Sequence, residues 1–162
     1  MSRLDSLIRR LRAQHACLAY AVQLIRDVPG PIFELGLGNG RTYDHLRELC
    51  PAREIFVFER HPPADPGLGP SGRHLILGDI RDTLPALAGD FAERVPLIHS
   101  DIGTGDAVRN ARLAADLAGY LPSLLVPGGV IVSDLALPGA KDMALTLPAG
   151  VTSDRYFLYR RS

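Results

Sequence analysis

The chain has 162 residues, 46% hydrophobic and 22% charged, with 18 basic side chains balanced by 18 acidic ones. That is enough for one domain with a sizeable core, and its neutral field offers no global attraction for nucleic acid or acidic membranes. No apolar run suits a leader or membrane span, and Cys17 and Cys50 are too isolated for a disulfide framework or metal knuckle, so a cytoplasmic setting is expected.

Leu4, Leu7, Ile8, Leu11, Leu18, Val22 and Ile25 recur at three- and four-residue steps, predicting an amphipathic helix over residues 3–27. Ser2 is its candidate cap, and Val28-Pro29-Gly30-Pro31 stops it. Arg3, Arg9, Arg10, Arg12 and Arg26 fall on the other face and read as solvated. Residues 1–28 thus stand as an added N-terminal helix before a unit of residues 29–162. That helix packs on its own sheet or forms a homo-oligomer contact.

Residues 32–35 then read as a strand, 36–40 as a glycine loop and 41–49 as a helix. Glycines at alternate positions let the backbone turn sharply and let a ligand lie against it. Residues 54–59 form a second strand, apolar enough to be buried on both faces. The prolines and glycines of 61–72 exclude a helix there. Residues 74–79 predict a third strand, followed by a helix over 83–94 capped by Asp82, with Pro85 in its first turn. A fourth strand covers 96–101 and a helix runs to about Tyr120. The Gly128-Gly129 turn leads into a fifth strand over 130–133. The tail offers a short strand at 143–147 and a clearer one at 155–160, where Tyr156 and Tyr159 complete the sheet. The alternation of strands and helices gives an α/β fold: a Rossmann-like, open, mainly parallel sheet with a shortened C-terminal antiparallel strand.

Five acids fall at strand ends: Glu34, Glu59, Asp79, Asp101 and Asp134. In a parallel sheet those ends share the edge where ligands bind, and burial in the core is a poor alternative for acids. Glu59 follows Gly40 by 19 residues, the spacing at which an acid reaches a ribose. Glu34, directly ahead of the loop, would repel a pyrophosphate but suits an ammonium and a sulfonium. The G-x-G-x-G spacing also departs from the dinucleotide fingerprint, with Arg41 where the last glycine would stand.

These residues resemble the class I S-adenosylmethionine-dependent methyltransferases, in particular small single-domain bacterial members. Glu34-Leu35-Gly36-Leu37-Gly38-Asn39-Gly40 looks like that family's first motif, Gly78-Asp79-Ile80 like its adenine-reading motif, and Leu125-Val126-Pro127-Gly128-Gly129 like its turn into the fifth strand. The resemblance implies S-adenosyl-L-methionine as cofactor. It implies Glu34, Gly36, Leu37, Gly38, Asn39, Gly40, Thr42, Glu59, Arg60, Asp79, Ile80 and Asp101 as its binding residues. Asp101 would also face the methyl group and a small-molecule acceptor, which makes it the candidate catalytic residue. The helix N-terminus past Gly40 would meet the cofactor's carboxylate. The departure is the proline-glycine loop, which replaces the family's helix between strands two and three.

His99 reads as a core histidine, since mid-strand positions are buried on both faces. Asp101 and Asp134 alone make a poor site for a hard cation, so no metal is expected. Nucleic-acid methylation is disfavoured by the charge balance. A non-catalytic binder of the same cofactor, or a partner subunit, is the alternative; a nicotinamide oxidoreductase is disfavoured by Glu34 and the glycine spacing.

Overall fold

The structure, a computed structural model, describes residues 2–162. Helix α1 (Arg3–Leu24) starts on a capping box in which Ser2 and Asp5 each satisfy the other's backbone N–H. It ends three residues before the predicted 27, with Ile25 as C-cap. Strand β1 (Ile32–Leu35), helix α2 (Arg41–Leu49), strand β2 (Ile55–Glu59) and strand β3 (Leu75–Leu77) follow. They lead to helix α3 (Ile80–Phe91), strand β4 (Val95–Ser100), helix α4 (Ala107–Leu124), strand β5 (Leu125–Ser133) and strand β6 (Phe157–Arg160).

The six strands form one sheet in the order β3-β2-β1-β4-β5-β6, parallel throughout except for β6, which runs antiparallel to β5. The expected fold class is present, including the short antiparallel last strand. The order reverses between β1 and β4, and such a reversal opens a crevice at the carboxyl ends of the strands.

Several boundaries differ from the sequence reading for local reasons. Helix α3 starts three residues early because Asp79, not Asp82, caps it, its carboxylate accepting from the Arg81 N–H at 3.0 Å; Pro85 therefore lies inside the helix. Helix α4 continues through Pro122 to Leu124. Strand β5 begins at Leu125, because Pro127-Gly128-Gly129 forms an irregularity within it, with Gly128 at φ 82°, and does not terminate it. Residues 61–74 hold two short 3-10 turns, Pro66–Leu68 and Gly72–His74, and strand β3 shrinks to three residues. The expected strand at 143–147 is instead a 3-10 turn, Lys141–Met143, and a single bridge from Ala144 to Tyr159.

Two cores flank the sheet. On one face α1 contributes Ala13, Cys17, Leu18, Ala21 and Ile25 against Ile32, Val57, Leu97 and Val132. On the other, α3 and α4 pack Leu84, Leu117 and Leu121 on Phe33, Phe58, Ile98 and Ile131. Helix α1 thus lies on its own sheet, and its end reaches the far end of the chain: Arg155 donates to Ser6 Oγ at 3.1 Å, and Arg9 pairs with Asp154. No helix among the described residues is long and apolar enough to cross a membrane.

Candidate active site

At the carboxyl edge, over the β1–β4 reversal, lies a cavity of about 600 Å³ whose wall includes Gly36, Gly38, Glu59, Arg60, Asp79, Ile80 and Asp101. Those seven expected site residues come together there. Gly36, at φ 90°, has no room for a side chain: a Cβ would stand 2.5 Å from Ile102 Cγ2 and 3.1 Å from the Asp101 carbonyl oxygen. Gly38, at φ 54°, faces open space. The loop therefore presents bare backbone to the cavity, which suits a ligand lying along it.

Glu59 holds that loop in place. Its Oε2 accepts from the N–H groups of Leu37 at 2.8 Å and Gly38 at 3.2 Å, while Oε1 accepts from Arg60 N at 2.7 Å. Burial pushes its acidity the other way, yet these backbone donors prevail and hold the carboxyl below its usual range. Asp79 is more crowded: the Arg81 side chain and backbone and the Arg60 Nη2, at 2.6 Å, all donate to it. Those donors depress its pKa strongly. Asp79 is therefore both a helix cap and the anchor of two arginines, roles that the motif alone did not reveal.

Other expected residues stand outside the cavity wall. Leu37 is buried, with its side chain against Gly69. Asn39 is exposed at the loop tip beside the Arg41 guanidinium. Gly40, at φ 75°, caps α2 in a left-handed conformation. Thr42 turns inward and donates to Glu34 Oε1 at 2.5 Å.

Glu34 contradicts the expectation that an acid here avoids the core. It is fully buried, and its Oε2 lies 2.7 Å from His99 Nδ1, also fully buried. Register explains the pair: Glu34 stands directly opposite His99 across the β1–β4 ladder. Burial disfavours a charged His99, but Glu34 outweighs it and raises the histidine's pKa. Beyond the ring, the Tyr156 hydroxyl lies 3.5 Å from Nε2, and the two rings stack. Tyr156 thus sits just before β6 and completes a polar layer, whereas Tyr159 lies within the strand.

Asp101 is the junction of that layer with α1. Arg10 Nη2 approaches both its oxygens, at 2.5 and 2.6 Å, and Gln14 Nε2 donates to Oδ2 at 2.6 Å. Arg10 is therefore no mere solvated surface residue. Next to Asp101, Asp134 accepts from Gly103 N at 2.8 Å through Oδ2, while its buried Oδ1 has no partner. Burial first, then the Asp101 charge, push the Asp134 pKa up to about 6. Arg10, Gln14 and Tyr156 carried no signal as site residues in the sequence, because what brings them together is the seat of α1 on β4 and β5. Among the described residues no group of three or more metal-ligating side chains gathers.

Comparison with known proteins agrees with this geometry. A family model described as S-adenosyl-L-methionine methyltransferase matches residues 1–161. The chain belongs to the S-adenosyl-L-methionine methyltransferases. A crystal structure of such a methyltransferase from Silicibacter pomeroyi DSS-3 shares 42% identity over 100% of this chain and 99% of its own, with a TM-score of 0.91. Two more distant methyltransferases match in fold alone. Human methyltransferase-like protein 13, in complex with SAH, has 18% identity, 92% and 82% coverage and a TM-score of 0.57. The SAH-bound Podospora anserina methyltransferase PaMTH1 has 19% identity, 92% and 78% coverage and a TM-score of 0.57. No curated protein sequence matches the chain. This methyltransferase accordingly uses S-adenosyl-L-methionine, and its match to the family runs through α1 as well as the sheet.

Proposed function

We propose that this methyltransferase binds S-adenosyl-L-methionine in the 600 Å³ cavity and methylates a small-molecule acceptor in the cytoplasm. One observation carries the reading. Bare glycine backbone, a ribose-spaced acid and the strand-end acid Asp101 line a single cavity at the sheet's topological switch. The cradle fits the cofactor: Gly36 leaves backbone where a side chain would intrude, and Glu59 is fixed by the loop it supports.

In this reading Glu59 accepts from the ribose hydroxyls, and Ile80 packs on the adenine beside Asp79. S-adenosylmethionine supplies an electrophilic methyl on a sulfonium. The protein's own work is alignment, holding an acceptor nucleophile in line at roughly 3 Å. Asp101, in the same cavity wall, is the side chain assigned to contact the acceptor or the cofactor's ammonium.

Labelled S-adenosylmethionine incubated with the protein and a metabolite pool tests this reading. Label should pass to a low-molecular-weight product, and Asp101→Ala should lower the transfer at least about 10²-fold. Cofactor binding with no labelled product from any pool would overturn the small-molecule assignment.

A further inference from the structure

An S-adenosylmethionine molecule ends in an α-amino acid, with one ammonium and one carboxylate, and that end belongs at Gly36 and Gly38. The partners that the sequence offered for it are engaged elsewhere. Both oxygens of Glu34 point inward, to Thr42 and to His99. Leu68 packs close to the start of α2, its carbonyl oxygen 2.6 Å from where a Cβ on Gly40 would stand. Arg41 lies beside Asn39 at the exposed tip of the loop.

We propose that Arg10 and Asp101 together hold the amino-acid end of the cofactor, Asp101 taking the ammonium and Arg10 the carboxylate. Asp101 lines the cavity beside Gly36. Arg10 is not itself in the cavity wall but stands against Asp101, which it meets through Nη2 alone, although a guanidinium carries five N–H donors in a rigid fork. Its Nε and Nη1 have no partner among the described residues, and the side chain is 45% exposed. A free edge of the fork thus remains beside the acid, with the geometry that carboxylates bind bidentately.

A zwitterion laid against this ion pair places each charge opposite its complement. The buried Gln14 fixes Asp101 from behind, donating to Oδ2 and partnering the Tyr156 hydroxyl. Helix α1 is itself anchored by Cys17, Leu18 and Ala21 in the core, so the guanidinium is carried on a rigid element. Such pre-organisation lowers the ordering cost of binding. The inference rests on the cofactor reading above and extends it by making α1 part of the cofactor site.

Calorimetric titration of the full chain with S-adenosylhomocysteine and with 5′-methylthioadenosine, which shares the adenosine but lacks the amino-acid end, tests it. Arg10→Met keeps the apolar stem and removes the fork. It should weaken S-adenosylhomocysteine about 10- to 100-fold while leaving 5′-methylthioadenosine unchanged; Arg10→Lys should fall between. Unchanged S-adenosylhomocysteine affinity in Arg10→Met would overturn the clamp. So would an equal loss for both compounds, which would mean that Arg10 only seats α1. An unmodified chain that binds neither compound would remove the cofactor reading, and the clamp with it.

Discussion

The two faces of the sheet differ sharply in what they bury. Towards α3 and α4 the strands present Phe33, Phe56 and Phe58: Phe33 meets Phe56, Phe58 and Phe91, and Phe56 meets Phe91, in edge-on and tilted contacts with centroids 5.0 to 5.9 Å apart. Towards α1 the sheet presents Glu34 of β1 and His99 of β4, with Asp101 and Asp134 just past the carboxyl ends of β4 and β5, in a hydrogen-bonded layer under Gln14 and Tyr156. One face is held by dispersion and hydrophobic transfer, which need no partner of fixed geometry. The other adds to its own apolar core a set of polar pairs that stabilise only while every partner is present. The apolar cores fix the strands, and the polar layer on the α1 side uses that fixed frame to aim side chains at the cavity.

Three substitutions probe this division. The largest effect is expected from Phe33→Ala, which empties the centre of the aromatic cluster and should cost about 3–5 kcal/mol in urea unfolding. A loss below about 1 kcal/mol would mean that the aromatic face is not what fixes the frame.

Glu34→Gln comes next, at about 3 kcal/mol, because it leaves His99 buried without its counter-charge. The sign with pH is set by the histidine. Its pKa is raised in the folded state, so the pair's contribution is complete below the ordinary value of 6.5 and fades as pH rises through the folded value. The parent chain and the variant should therefore converge in alkaline buffer. An equal gap at pH 6 and pH 9 would show that the pair is not ionic.

Asp134→Asn is the smallest of the three and has the opposite sign. Asp134 holds its proton to about pH 6 in the folded chain against an ordinary 3.8, so its ionisation subtracts stability as pH rises between those values. The asparagine variant should match the parent at pH 3.5 and exceed it by about 1–3 kcal/mol at pH 8. Parity at pH 8 would mean that Asp134 finds a partner for its unpaired oxygen.

The same division decides what could be read from the residues alone. Period-two and period-3.6 patterns identified nearly every strand and helix, because burial of alternate or staggered apolar residues is a local property. The glycine loop and Glu59 were legible for a similar reason: both lie within one βαβ stretch. Glu34 was located correctly but assigned the wrong surroundings. Its partner His99 is 65 positions away, and only the adjacency of β1 and β4 brings them into register. Arg10 looked like any charge on a helix face, since nothing near residue 10 encodes which strand end α1 will cross. Asp79 was placed in the site but not recognised as the cap of α3, a role for which Asp82, three residues on, competed in the pattern.

The contacts that seat α1 also bear on how the chain reaches its folded state. Arg10 and Asp101 are separated by 91 residues, and Ser6 and Arg155 by 149. Closing loops of that size costs chain entropy that short-range contacts do not incur. Helix α1 precedes in the chain every strand that it covers, and β4, β5 and the segment before β6 follow well after it. Until those segments are made, the amphipathic face carrying Cys17 and Leu18 has only part of the sheet that it covers. The helix that seats Arg10 thus depends on residues far downstream of it.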